Sequence, residues 1–129
     1  MAESRIFRAS GIRDTTTRQP QPMNPRILLL CHELGTRLQL SAAWTAAGAT
    51  MLAPASTEVP DCIVVDLGRR DALGEIARLR LLHPGVDIIS CGASFDEAAV
   101  TAAKAAGADD FAARSFVGRR VSRLLKLQG

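Results

Sequence analysis

The chain has 129 residues, a formal net charge of +3 and 47% hydrophobic residues, of which few are aromatic. That is the length of one domain with an ordinary core, here aliphatic and alanine-rich. No apolar run reaches the ~18 residues of a membrane span and no signal-peptide core opens the chain, so a cytoplasmic protein is expected.

Residues 1–24 show no periodicity, and Thr15-Thr16-Thr17-Arg18-Gln19-Pro20-Gln21-Pro22 has the composition of a disordered tail. The chain therefore divides into a tail, 1–24, and a folded domain, 25–129. The tail is basic through Arg5, Arg8, Arg13 and Arg18, and the last segment through Arg114, Arg119, Arg120, Arg123 and Lys126. The part between is net acidic. No nucleic-acid reading module accompanies these charges, so a solvated face or an acidic protein partner is the expectation, with weak nucleic-acid binding as an alternative.

The first predicted strand covers residues 26–31, with Ile27-Leu28-Leu29-Leu30 as its centre. A helix over 36–47 follows, with Leu34, Leu38, Ala42 and Thr45 as its inner stripe, and Gly48 suits the left-handed position that ends it. A short strand, 50–53, closes at Pro54. Only a few residues then precede the next strand, too few for a crossover with a full helix. Either the second helix is thus shortened or missing, or the short strand is an irregular edge.

Pro60-Asp61-Cys62-Ile63-Val64-Val65-Asp66-Leu67-Gly68 is the central stretch. Its continuous apolar run reads as a strand buried on both faces. A helix over 71–82 is expected to turn Leu73, Ile76, Leu79 and Leu82 or His83 inward, and Pro84-Gly85 ends it. His83, at that terminus, is expected to serve the last carbonyls. A strand over 86–91 is followed by Ser94-Phe95-Asp96-Glu97, which has the form of a capping box, and by a helix to 106 closed by Gly107. The last strand, 110–113, leads to a helix over 117–127 with Val121, Leu124 and Leu125 inward. Alternation at this spacing gives a five-stranded parallel sheet with helices on both faces. Cys31, Cys62 and Cys91 fall within or at the end of strands, as buried thiols and not as a disulfide framework. Trp44 and Phe95 read as packing residues, and Arg69-Arg70 as a solvated loop.

In such a sheet, ligand sites lie at the C-terminal strand ends. There the sequence puts Cys31-His32-Glu33, Asp66, Gly92 and Arg114. An aspartate supported by other carboxylates holds Mg²⁺ and accepts a phosphoryl group, with a cation to neutralise developing charge. Here Arg114 supplies a cation, but Glu33 is the one further carboxylate.

Three stretches resemble the receiver domain of two-component response regulators. They are Pro25-Arg26-Ile27-Leu28-Leu29-Leu30-Cys31-His32-Glu33, Pro60-Asp61-Cys62-Ile63-Val64-Val65-Asp66-Leu67 and Ala106-Gly107-Ala108-Asp109-Asp110-Phe111-Ala112-Ala113-Arg114-Ser115-Phe116. The resemblance covers residues 25–127. It implies an α/β, flavodoxin-like (CheY-like) doubly wound fold with strand order 2-1-3-4-5, and Asp66 at the phosphoacceptor position. It also puts the family's two Mg²⁺-organising acids on Cys31 and His32, its Thr or Ser on Gly92, its lysine on Arg114 and the following proline on Ser115. Phe111 keeps the switch aromatic.

On this resemblance the pocket Cys31, His32, Glu33, Asp66 is degenerate: no metal site, no cofactor and no enzymatic activity are expected. Arg114 is expected to pair with Asp66 or Glu33. The leading expectation is a pseudo-receiver that signals by protein–protein contact without Mg²⁺-dependent phosphorylation. The contact face would be the penultimate helix, the last strand and the last helix, with Phe111, Arg119, Arg120, Arg123 and Lys126, meeting a protein or a second copy. The main alternative is a working receiver, using Mg²⁺ and phosphorylated on Asp66 by a histidine kinase. Thiolate, imidazole and carboxylate also suit zinc, which leaves a weak metal-binding module as a further alternative. The chain ends just after its last predicted helix, so no attached output domain is expected.

Overall fold

A computed structural model of the chain describes residues 24–127. The expected tail, apart from Asn24, and the last two residues of the expected domain lie outside the described residues. The elements are β1 (Arg26–Leu30), α1 (Leu34–Ala46), β2 (Thr50–Leu52), β3 (Cys62–Asp66), α2 (Ala72–Leu82), β4 (Asp87–Gly92), α3 (Glu97–Ala106), β5 (Asp110–Ala113) and α4 (Arg114–Leu124). All strand pairs are parallel, in the order β2-β1-β3-β4-β5. This is the expected doubly wound topology. No helix lies between β2 and β3, which is where the spacing left no room for one.

Alternation along each strand divides the core in two. Ile27, Leu29, Val64 and Ile89 meet Trp44 of α1 and Val117 and Val121 of α4 on one face. Leu28, Ile63, Val65 and Ile88 meet Ile76 and Leu79 of α2 and Ala103 of α3 on the other. Every residue of β3 is buried, Asp66 included. All three cysteines are free and buried.

The helix faces depart from expectation. Leu34 and Leu38 are exposed on α1, as are Ala42 and Thr45, while Leu40 packs on the core and Trp44 is buried. An indole buries ~150–250 Å², more than either leucine offers. Its Nε1 also donates to the Gly118 carbonyl of α4 at 3.1 Å. That bond and that area set the helix rotation. Gly118 permits the approach, since a Cβ there would lie 3.0 Å from Leu40 Cδ2.

On α2 the buried positions are Ala72, Ile76 and Leu79; Leu73 and Leu82 are exposed. The 3.6-residue period puts 72, 76 and 79 on one stripe. His83 is half-buried, and its backbone amide donates to the Leu79 carbonyl. On α3 the cap is Asp96, not Ser94, because the Asp96 carboxylate accepts from the Ala99 amide at 3.2 Å. Gly107 closes that helix with φ 129. Helix α4 starts at Arg114 directly from β5, three residues before the expected Val117, and turns Leu125 inward but leaves Leu124 exposed.

Arg80 fastens the N-terminal edge of the sheet. Its guanidinium donates to the carbonyls of Pro84 and Val86 (both 2.9 Å), to that of Gly107 (2.8 Å) and to the Asp109 carboxylate (2.6 Å). Asp109 also accepts from the Ile88 amide. One side chain thereby joins α2, β4 and the turn into β5. Arg80→Met is expected to lower the unfolding free energy in urea by about 3 kcal/mol, since hydrogen bonds to charged groups contribute ~1.5–3 each. Arg78→Met, which loses one surface pair with Glu75, should cost under about 0.5 kcal/mol.

Candidate functional site

Asp66 ends β3 beside Cys91 of β4 in register, with Leu30 of β1 opposite Val65 and Cys31 following it. Alternation gives Asp66 the same side of the sheet as Cys62 and Val64, the side covered by α1 and α4. The first residue of α4 is Arg114, so its guanidinium reaches the carboxylate from above.

Nη2 of Arg114 lies 3.1 Å from Oδ1 and 3.0 Å from Oδ2 of Asp66. The Gly68 amide donates to Oδ1 at 2.9 Å. Cys31 Sγ stands 3.3 Å from Oδ2 and 3.6 Å from the Glu33 carbonyl, and its single proton serves one at a time. His32 Nδ1 lies 3.3 Å from Oδ2 on a half-exposed ring. Both oxygens of Asp66 are thus engaged by protein groups. Arg114 Nε is buried and has no partner among the described residues.

Burial works against the Asp66 carboxylate, yet the Gly68 amide, the Cys31 thiol and Arg114 more than offset it and hold its carboxyl below the usual range. Burial pushes the Cys31 thiol up, and the neighbouring carboxylate adds to this, so the sulfur remains protonated as a donor at neutral pH. Burial likewise pushes Cys91 up to about 12.

The expected pocket of Cys31, His32, Glu33 and Asp66 is only partly assembled. Cys31 and His32 meet Asp66. The Glu33 carboxylate instead accepts from the amide (2.9 Å) and hydroxyl of Thr36 as the N-cap of α1. Of the two carboxylates named for Arg114, it holds Asp66. Gly92 ends β4, and a Cβ there would make only ordinary contacts, 3.7 Å from Phe111 Cε1 and from the Ser94 carbonyl. The missing hydroxyl is therefore not imposed by space. Ser90 does not replace it, because its hydroxyl donates to the Asp110 carbonyl. No group of three or more His, Cys, Asp or Glu suited to a metal ion occurs among the described residues.

The basic face is divided. Phe111 is half-buried and meets exposed Phe95 edge-on, with ring centroids 5.8 Å apart. Arg120 pairs with Asp110. Arg123 and Lys126 are exposed. Arg119 lines a groove on the other flank of α4, against α1. Sequence reasoning passed over two residues here. Gly68 supplies the amide, and its lack of Cβ admits the His32 ring, since a Cβ would lie 2.6 Å from His32 Cε1. The signal was a glycine two residues after a strand-ending aspartate. Gly118, a glycine beside the buried stripe of a helix, was the mark of a close helix contact.

The fold is the CheY-like flavodoxin fold, and the aspartate stands at the end of its central strand. Its structural neighbours are response-regulator receiver domains. A response regulator from Thermotoga maritima superposes with a TM-score of 0.66 at 20% identity, over 80% of this chain and 98% of that one. An orphan response regulator of H. pylori gives 0.65 at 16% identity, over 80% and 98%. One from Burkholderia pseudomallei, with a phosphorylated aspartic acid, calcium ion and citrate, gives 0.64 at 20% identity, over 78% and 72%. No family model matches the sequence, and neither does any curated protein. No described helix is long and apolar enough to cross a membrane.

The depressed Asp66 carboxyl makes its pairing stabilising above the ordinary aspartate value of ~3.9, and that contribution is lost as pH falls through the lower folded value. Arg114→Met should leave a buried unpaired carboxylate and cost about 3 kcal/mol at pH 7. The cost should shrink toward pH ~4, where the variant's Asp66 is protonated. Adding Asp66→Leu should restore most of the loss, as removal of both partners often does. Urea unfolding of the three proteins at the two pH values checks this.

Proposed function

We propose that this chain is a receiver-type signalling module that works through protein contact, with Asp66 held by Arg114 instead of being cycled through phosphorylation. The observation that carries the reading is the placement of Arg114 Nη2 within 3.1 Å of both Asp66 oxygens. A phosphoryl acceptor needs a free carboxylate oxygen, and this one is already engaged by a cation, a thiol and an amide.

The donor set also argues against Mg²⁺. That ion wants near-octahedral oxygen ligands, whereas the residues around Asp66 are a thiol, an imidazole and a guanidinium, and the Glu33 carboxylate is turned to its helix cap. The arginine takes the charge-balancing part a metal would otherwise play. A receiver fold with this arrangement is a binding module, not an enzyme.

Receiver domains of this architecture meet histidine kinases and other proteins. The contact surface proposed here is α3, β5 and α4, where Phe95, Phe116 and Leu124 are exposed beside Phe111, Arg120, Arg123 and Lys126. The partner is a protein or a second copy of the chain. The acidic composition of the remaining surface is compatible with either.

Incubation with acetyl phosphate and Mg²⁺ followed by intact-mass measurement tests the reading. The expected result is an unchanged mass. A gain of about 80 Da in the parent protein, absent from Asp66→Asn, would overturn it in favour of a phosphorylated receiver.

A further inference from the structure

Between α1 and α4 runs a groove of about 740 Å³, within the roughly 300–1,000 Å³ of small-molecule sites. Its lining is chemically one-sided. Arg114 and Arg119 supply two cations, and no acidic residue lines it. Thr36, Gln39, Ser115 and Ser122 add hydroxyl and amide donors. Leu40 and Trp44 form an apolar floor, deepened at Gly118 by the lack of a side chain. Arg120 is spent on Asp110, Arg69 on Asp71 and Arg114 itself on Asp66, whereas Arg119 is in no ion pair among the described residues. Arg114 keeps a buried Nε without a partner among the described residues.

We infer that this groove binds a small organic anion: an acidic head between Arg114 and Arg119 and an apolar body against Leu40 and Trp44. Arg119 is exposed and in no ion pair among the described residues; beside Arg114, whose Nη2 also holds Asp66, it attracts an anionic head, and the hydroxyls satisfy the remaining oxygens. The inference does not depend on whether Asp66 is phosphorylated. Arg114 nevertheless belongs to both the groove and the Asp66 pair, so an anion bound there competes for the guanidinium that holds Asp66.

Trp44 is the chain's one tryptophan, so its emission reports directly on the groove. The probe is 8-anilino-1-naphthalenesulfonate, an anionic head on an apolar body, titrated into the full chain. The expected result is saturable one-to-one quenching of Trp44 with sensitised dye emission. Arg119→Glu should weaken binding at least tenfold, Arg119→Lys should restore most of it, and Arg123→Glu, on the other flank of α4, should leave it nearly unchanged. On the parent protein, N-phenyl-1-naphthylamine, the same body without the sulfonate, should bind at least tenfold more weakly. The inference is overturned by an absence of saturable quenching. It is equally overturned by equal losses in Arg119→Glu and Arg123→Glu, which mark a general charge effect, or by equal affinity of the charged and uncharged dyes.

Discussion

A carboxylate without solvent contact at the end of a central strand is costly unless its charge is met, and Arg114 meets it. Because Arg114 is the first residue of α4, the ion pair is also a tether between the middle of the sheet and its last helix. The Trp44–Gly118 hydrogen bond then ties α1 to α4 on the same face. Cys31, His32 and Gly68 fit around the pair, and Glu33, drawn off to cap α1, leaves it without a second acid. Asp66 and its partners thus join the end of β1, β3 and α4 at the sheet edge where α/β folds ordinarily place their ligand sites.

The opposite edge of the sheet shows the same economy with different parts. Arg80 draws together the end of α2, the start of β4 and the turn before β5, using backbone carbonyls and Asp109 as acceptors. An arginine thus fastens each end of the sheet, Arg80 at the start of β4 and the turn into β5 and Arg114 at the end of β3.

The departures from the receiver pattern that the sequence resembles, at Cys31, His32, Gly92 and Arg114, are coherent with the proposed reading. A thiol and an imidazole in place of acids weaken the case for a hard cation. An arginine reaches the carboxylate directly. The charge of Asp66 is met within the chain by Arg114, and the side chain of Arg114 also lines the α1–α4 groove.

The buried run 62–66, the parallel pairing of the strands, a crossover helix shortened or missing and the glycine stops at Gly48 and Gly107 were all legible in the sequence. Each rests on local chemistry: a continuous apolar run, a spacing too short for a helix, a backbone that only glycine adopts easily. The rotation of α1 was not. Apolar residues occupy several of its faces, and the choice of Leu40 and Trp44 over Leu34 and Leu38 came from contacts with α4, distant in sequence. The same holds for the site. The sequence by itself named Asp66, Arg114, Cys31 and His32 as neighbours at one sheet edge, because strand ends converge there. Only the tertiary structure decided that Arg114 takes Asp66, that Glu33 goes to a helix cap, and that Arg119 turns to a groove away from Arg120. Those outcomes depend on side-chain reach and helix phase, which no local pattern encodes.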